Sequence, residues 1–589
     1  MWNRLNRGAI RGLFSHLVTL SPCHLVIFCA AVLTGLNAVK PLHVDDATFY
    51  FNAAQIASHP LDPYGYVMLR WSDAVPALHA LAPPVLPYWW AAAMRMFGER
   101  PVLWKLWLFP FALIFVASLA ALLRRFAPTV AIPLLVLLVL SPVFLPSLNL
   151  MMDIPALALS LLSLATFFRA CDRDSLALAV FAGLTAGLAM QTKYTALLAP
   201  VIILIYALLQ RKLPMGLAVV LFSGLIFATW ETALFFRYGE SHFVYQILKG
   251  DNGDQPKKVL LGCLTPLLGS AVPSLPLLTL TVLPAPRWLL LLAALLLVLP
   301  FLLLICPDAL SGGGRVYELA NILFACNGTA ALLSMGWASW RLVQCRMQNA
   351  ECRMKNKTTT VAFLSAFCIL HSALGSAWFL VLWFALELAG YVAISPFPAV
   401  RRIMGTTIAA TLLIGCLADQ SRLETWRRNV LYGLVVVALL LGLGFFAVDY
   451  LEARAEQQAA YAAAQLIRRE HPHAQIWYAG YWGFQYYAEK CGMKQIIPVQ
   501  VSEDGTPALL PPSRFRRGDW LVIPDESIPQ QALDLNRPEL EPEGPIAVGD
   551  AVPLSTLMNY YAGAAALRHN GGPRIVLRLY RAKDDFVAR

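Results

Sequence analysis

Four short stretches of this chain hold side chains that could do chemistry, and all four stand at the ends of apolar runs. Asp45 and Asp46 lie in His-Val-Asp-Asp-Ala-Thr-Phe-Tyr, just after the first such run. Asp153 lies in Asn-Leu-Met-Met-Asp-Ile-Pro, between two runs with almost no polar loop. Lys193 and Tyr194 sit in the hairpin Met-Gln-Thr-Lys-Tyr-Thr, and Arg401-Arg402 follow Ser-Pro-Phe-Pro-Ala-Val. Carboxylates supply a general base, and cations bind and stabilise an anionic leaving group such as a phosphate. Paired arginines can grip that phosphate bidentately. A phosphate held at a lipid surface implies a lipid-linked substrate. Each stretch also has a plainer reading. Either acid site can cap a helix, Asp153 especially ahead of Pro155, and Lys193 can snorkel to lipid phosphates. Adjacent acids at a helix start point about 100° apart, so one of Asp45 and Asp46 can face a site while the other meets a partner group.

The elements that must position these residues are membrane helices. Only 14% of the 589 residues are charged, against about 25% in soluble domains, and the mean hydropathy is +0.60. Thirteen apolar runs are long enough to cross about 30 Å of hydrocarbon, at approximately 20–38, 103–123, 130–148, 154–170, 176–191, 195–210, 215–236, 259–282, 288–306, 317–340, 376–395, 403–419 and 430–449. Backbone groups in lipid must pair within the segment, so these runs are read as helices. The net charge of +11 is assigned to basic loops rather than to nucleic acid. Arg124/Arg125, Arg211/Lys212, Arg287, the cluster from Arg341 to Lys357 and Arg427/Arg428 fall on the side of Arg4, Arg7 and Arg11, which the positive-inside rule makes cytoplasmic. The first run is read as an uncleaved span rather than a signal peptide. An odd number of spans places the C-terminal part outside the cytoplasmic membrane. Residues 359–375, also apolar, are read as an interfacial or re-entrant piece.

The expected organisation is a multi-pass transmembrane domain over 1–450 and an outer-face soluble α/β domain over 451–589. The first outer segment, 39–102, mixes prolines and aromatics with short apolar pieces and reads as helices lying in the headgroup zone. Further outer segments are the turns at Asn149–Asp153 and Gln191–Thr195 and the polar stretch 237–258. Cys345-Arg346-Met347-Gln348-Asn349 returns as Cys352-Arg353-Met354-Lys355-Asn356, a repeat read as an inner-loop insertion without chemistry. Beyond Tyr450, residues 451–470 read as a helix continuing out of the last span. Gln475–Tyr478, Asp519–Ile523 and Arg574–Tyr580 read as strands, and Phe484–Lys490 as a helix. The eleven cysteines lie mostly in apolar runs, lack zinc spacing and read as packing residues.

Taken in order, these motifs resemble the GT-C superfamily of membrane glycosyltransferases, within it the bacterial relatives of the protein O-mannosyltransferases and of the lipid A aminoarabinose transferase. The resemblance rests on Asp45-Asp46 with Tyr50, on Pro60–Tyr64 with Pro83-Pro84 and Tyr88, on Met152-Asp153-Ile154-Pro155, and on Gly187 through Lys193-Tyr194-Thr195. It departs from the pattern at Asp46, usually Glu, and at Arg401-Arg402, usually Arg-Tyr. Trp482-Gly483-Phe484-Gln485-Tyr486-Tyr487 is similar to some bacterial members. The resemblance implies inverting transfer of a sugar from a polyprenyl-phosphate donor to an acceptor hydroxyl of a lipid, glycan or protein, at the outer face of a bacterial cytoplasmic membrane. It makes Asp45 the general base. Asp46 and Asp153 would shape the site or hold a divalent cation, which some relatives do without. Lys193 and Arg401 or Arg402 would bind the donor phosphate, with Tyr50, Tyr64 and Tyr194 as further substrate-site candidates.

Two other readings compete. Glu231, Glu318 and Glu387 within apolar runs would suit a transporter, yet no repeated halves are visible and the candidate site lies at the surface. A non-catalytic scaffold presenting the outer domain would tolerate loss of Asp45.

Overall fold

In the computed structural model, every one of the thirteen apolar runs contains helix among the described residues, though not every run is helical to its end. The structure describes residues 21–588 except 71, 250–255, 305–313, 356–361, 422–423, 500–508, 526–527, 550–551, 553, 556–567 and 570–571. Arg4, Arg7, Arg11, Asp251 and Asp254 therefore lie outside the described residues. Among the described residues, six helices are long and apolar enough to cross a membrane: Pro101–Phe126, Asp153–Arg173, Leu213–Tyr238, Arg287–Leu304, Gly314–Cys345 and Thr425–Glu470. Shorter apolar helices are Pro22–Ala38, Pro128–Val139, Leu176–Met190, Tyr194–Leu209 and Trp378–Ile394, and Met404–Ser421 completes the set. Several begin on proline, whose missing N–H costs nothing in a first turn.

Two of the expected runs are not straight helices. The 259–282 run is a pair, Lys257–Ala271 and Leu275–Val282, bent by 74°. Pro273 stands at the break, and Asn327 satisfies the carbonyls there by donating from Nδ2 to Gly269 O at 2.9 Å and Pro273 O at 3.0 Å. The 130–148 run is helical only to Val139. Pro142 and Pro146 cannot donate and would clash with a continuing helix. Residues 140–152 instead form buried irregular backbone, tolerable at membrane depth only because protein groups meet it. Asn37 donates to Leu145 O at 2.7 Å, and Lys40 Nζ to Pro146 O at 2.7 Å.

Two further expectations are corrected. The 341–357 segment is not a loop insertion, since one helix runs from Gly314 to Lys355. Its 42 residues reach about 63 Å, beyond the hydrocarbon, so a polar end can stay helical. The 359–375 piece is, from Ala362, the first part of a 33-residue helix, Ala362–Ile394, and not a separate re-entrant element.

The first outer segment holds two helices, Asp46–Ser58 and Val85–Phe97, and an antiparallel hairpin, Val67–Arg70 with Asp73–Pro76, that the sequence reading lacks. The last helix, Thr425–Glu470, carries the chain out of the bundle without interruption. Beyond it lies a five-stranded mixed sheet. Its order is Lys494–Gln495, Ile476–Tyr478, Trp520–Pro524, Ile575–Ala582 and Leu540–Val548, with the first three parallel and the last two antiparallel to their neighbours. Trp520–Pro524 is buried throughout. The helix Trp482–Lys490 turns back onto the first outer segment. There Lys490 pairs with Glu99, and Ser72 Oγ accepts from Ala532 N at 2.9 Å. The C-terminal domain thus sits at the same end of the bundle as residues 39–100. Arg125–Asp172 and Lys212–Asp174 pairs mark the other end.

Candidate active site

Asp45 stands at the N-cap of the Asp46–Ser58 helix, directly after Val44, whose φ of +48° is unusual for a β-branched residue. This turn sends the two acids apart. Asp45 faces outward, and its Oδ2 accepts from Arg401 Nη1 at 2.9 Å. Arg401 comes from the short helical turn Val400–Arg402, between two apolar helices. The same Nη1 lies 4.0 Å from Oδ2 of Asp153. Asp153 occupies the first turn of its helix, where the dipole favours a negative charge. Its other oxygen takes a close ion pair from Lys193, which reaches across from the neighbouring hairpin. Four of the residues singled out in the sequence thus form one chain of contacts, Asp45–Arg401–Asp153–Lys193.

Asp153, Lys193 and Arg401, with Ser395 and Thr195, line a cavity whose lining does not include Asp45, and Arg402 lines it as well. Its Nε finds no partner among the described residues, and its guanidinium lies over Phe397, 5.0 Å from the ring centroid. Burial, with Arg401 alongside, brings Arg402 down to about 10. Burial likewise brings Lys193 down to about 8, partly offset by Asp153. Cations that burial destabilises in this way are ones that an incoming anion would stabilise. Below the charged mouth the cavity is apolar. Leu157, Leu161, Leu164, Ile202, Trp383 and Ile408 line it. One acid interrupts this wall: Glu387, which accepts from Trp383 Nε1 at 3.1 Å and faces Gly405, where a Cβ would stand 2.2 Å from its Oε2. The sequence marked Glu387 only as an acid inside an apolar run.

Exposure separates the two acids of the chain. The Asp45 side chain is 34% exposed and Asp153 only 7%. Of the two, Asp45 is the more open to an approaching hydroxyl from solvent.

The other expected site residues are placed elsewhere. Asp46, expected to support the site or hold a metal, turns inward with no exposure and pairs with Lys105 at 3.3 Å and His43 at 3.6 Å. Burial works to raise its carboxyl, but Lys105 and His43 outweigh it and hold it below the ordinary range. Tyr50 donates to Glu99 at 3.2 Å and stacks on Trp104. Tyr64 is buried, donates to Ala82 O at 2.8 Å and stacks on His242. Tyr194 donates to Glu231 at 2.8 Å and meets His242 Nδ1 at 2.5 Å. Glu231 also accepts from Ser241 Oγ and Phe243 N, so Tyr194 anchors the Lys193 hairpin to the 241–249 segment rather than facing the cavity.

The mouth does not fit a divalent cation. With Asp46 turned away, two carboxylates face three cations there, an excess of positive charge that suits an anion. Among the described residues no group of three or more His, Cys, Asp or Glu is placed to hold a metal.

Residues 82–231 match the family model of the dolichyl-phosphate-mannose-protein mannosyltransferases, a stretch that includes Asp153 and Lys193. No curated protein matches the sequence. Among solved structures, the oligosaccharyltransferase of Archaeoglobus fulgidus in its apo form is similar at 14% identity and a TM-score of 0.40, over 81% of this chain and 64% of that one. The chain therefore spans under two thirds of that enzyme's length. ArnT from Cupriavidus metallidurans bound to undecaprenyl phosphate is similar at 14% identity and a TM-score of 0.41, over 88% of this chain and 94% of the other.

Proposed function

We propose that this chain, a membrane glycosyltransferase of the GT-C superfamily, moves a sugar from a polyprenyl-phosphate donor to an acceptor hydroxyl at the outer membrane face, with inversion. The observation that carries this reading is Arg401 standing between the Asp45 and Asp153 carboxylates, beside Lys193, at the mouth of an apolar cavity. A molecule with one anionic group on a long hydrocarbon tail matches that combination. Its phosphate would rest on Lys193, Arg401 and Arg402, and its first isoprene units would follow the leucines below. Asp153 would hold the cations in place between turnovers.

Asp45 would then act on the acceptor. Its carboxylate takes the hydroxyl proton as the oxygen attacks the anomeric carbon. The bond from that carbon to the phosphate oxygen breaks, and its electron pair leaves on the phosphate. Attack on the anomeric carbon from the side opposite the departing phosphate oxygen inverts the anomeric centre. Cations fixed where negative charge develops stabilise the transition state more than the ground state.

The test uses native-membrane vesicles given labelled undecaprenyl-phosphate mannose, with undecaprenyl-phosphate aminoarabinose in a parallel arm. Asp45→Asn should lower transfer by about 10²–10⁴, the usual contribution of a general base, while expression and donor binding persist. Transfer by Asp45→Asn at the normal rate refutes the assignment.

A further inference from the structure

The base candidate is carried by a stretch of backbone that could not hold its own shape. Residues 40–46 follow the Pro22–Ala38 helix and are largely buried, with Lys40, Leu42, His43, Val44 and Asp46 at most 2% exposed. Buried backbone without secondary structure needs partners for its polar groups. Here they come from three directions. Lys105 Nζ donates to Lys40 O at 2.9 Å and to Pro41 O at 3.1 Å. The Asp46 carboxylate accepts from His43 N at 3.2 Å. The phenol oxygen of Tyr487, in the C-terminal domain, accepts from Leu42 N at 3.0 Å.

The C-terminal domain also presses on this stretch directly. A Cβ at Gly483 would stand 2.1 Å from Leu42 O and 3.0 Å from His43 Cα, so only glycine fits. Phe484 N is held by Glu456 Oε2 at 3.1 Å, which fixes this helix start to the long Thr425–Glu470 helix. That helix reaches the same stretch again through Asp449, 3.4 Å from Lys40 Nζ. Both sides of the contact carry a left-handed non-glycine residue, Val44 at φ +48° and Trp482 at φ +60°. Such residues are strained and persist only where their surroundings over-determine them. Val44 directly precedes Asp45, so its conformation sets where that carboxylate points.

We infer that Tyr487 and Gly483 of the C-terminal domain are positioning residues for Asp45, so that the domain completes the active site from behind instead of merely capping it. The inference rests on Asp45 being the base. An error of about 1 Å in such a group can cost 10²-fold in rate. Releasing the Leu42 N–H, or pushing Leu42 away, moves the acid, while Lys193, Arg401 and Arg402 stand on other elements.

The experiment compares Tyr487→Phe, Gly483→Ala and Asp45→Asn, singly and combined, in the full-length protein. It measures transfer from the same two labelled donors, affinity for undecaprenyl phosphate, and melting temperature. Tyr487→Phe should lower kcat about tenfold and Gly483→Ala about 10²-fold, with KM for the donor no higher and undecaprenyl phosphate affinity no weaker than in the natural chain. On the Asp45→Asn background neither should lower the residual rate further, because both act through that carboxylate. Normal rates for Tyr487→Phe and Gly483→Ala beside a silent Asp45→Asn overturn the inference and leave the base in place. A rate loss matched by weaker lipid binding or a lower melting temperature in both variants overturns it in favour of a general structural role. An active Asp45→Asn removes the underlying reading itself.

Discussion

Lys193 provides a measurable link between pH and donor binding. Its ammonium is brought from the ordinary 10.5 to about 8 by burial, with Asp153 opposing and Arg401 and Arg402 assisting. A group with that midpoint is about nine-tenths charged at pH 7 and about one-tenth charged at pH 9. A polyprenyl-phosphate sugar is a phosphodiester whose single negative charge does not change over this range. If only the charged lysine grips it, the apparent Kd should rise about tenfold from pH 7 to pH 9, or about 1.4 kcal/mol. Unfolding does not produce the same trend. Lys193 binds its proton more weakly folded than unfolded, so stability from this group rises as pH climbs from about 8 towards 10.5. Lys40, also brought to about 8 by burial, titrates in the same window beside Asp449. Lys193→Arg separates the two, because an arginine keeps its charge throughout. Equilibrium binding of labelled undecaprenyl-phosphate mannose to protein in lipid nanodiscs should show the tenfold loss in the natural chain and a flat profile in Lys193→Arg. A flat profile in the natural chain, or the same loss in both, refutes the assignment of Lys193 to the phosphate.

Two further outcomes are expected. Lys105→Met strands the carboxylate of Asp46, which has no exposure. Removing one partner of a buried pair costs about 3–5 kcal/mol, read as a lower melting temperature in detergent, and the double variant with Asp46→Leu should recover most of it. In a cysteine-free background, single cysteines at Leu61 and Arg514 should be labelled from outside the cell, and one at Arg173 only after permeabilisation. Labelling of position 514 only after permeabilisation refutes the outer placement of the C-terminal domain.

The residues at the mouth were legible in the sequence because charge beside an apolar run is costly and therefore conspicuous. Asp45, Asp153, Lys193 and Arg401 all announced themselves this way, and the structure brings them together. Spacing alone left open which of the two adjacent acids would face the site, and only the family resemblance pointed to Asp45, since the outcome depends on Val44 and on Lys105, which the sequence hides inside an apolar run. Pairs distant in the chain were equally silent: Lys40 and Asp449 are 409 residues apart. Tyr50, Tyr64 and Tyr194 illustrate the opposite error. Aromatics near a site read as substrate contacts, but their hydroxyls are taken by Glu99, Ala82 O and Glu231. In the outer domain, Leu540–Val548 escaped notice because Pro542, Gly544 and Pro545 break the pattern of a strand, and it lies at the sheet edge where prolines are tolerated.

The sharing of Arg401 between two acids has a consequence for how a catalytic cycle would close. On the proposed reading, an Asp45 that had taken up a proton would no longer compete for the guanidinium, and the spent carrier would be gripped at its tightest. Once that proton escaped to water through the exposed side of Asp45, the carboxylate would reclaim Arg401 and loosen the phosphate. Shedding of the proton and departure of the used lipid would then be one event, and the enzyme would reset itself without any large movement of its helices.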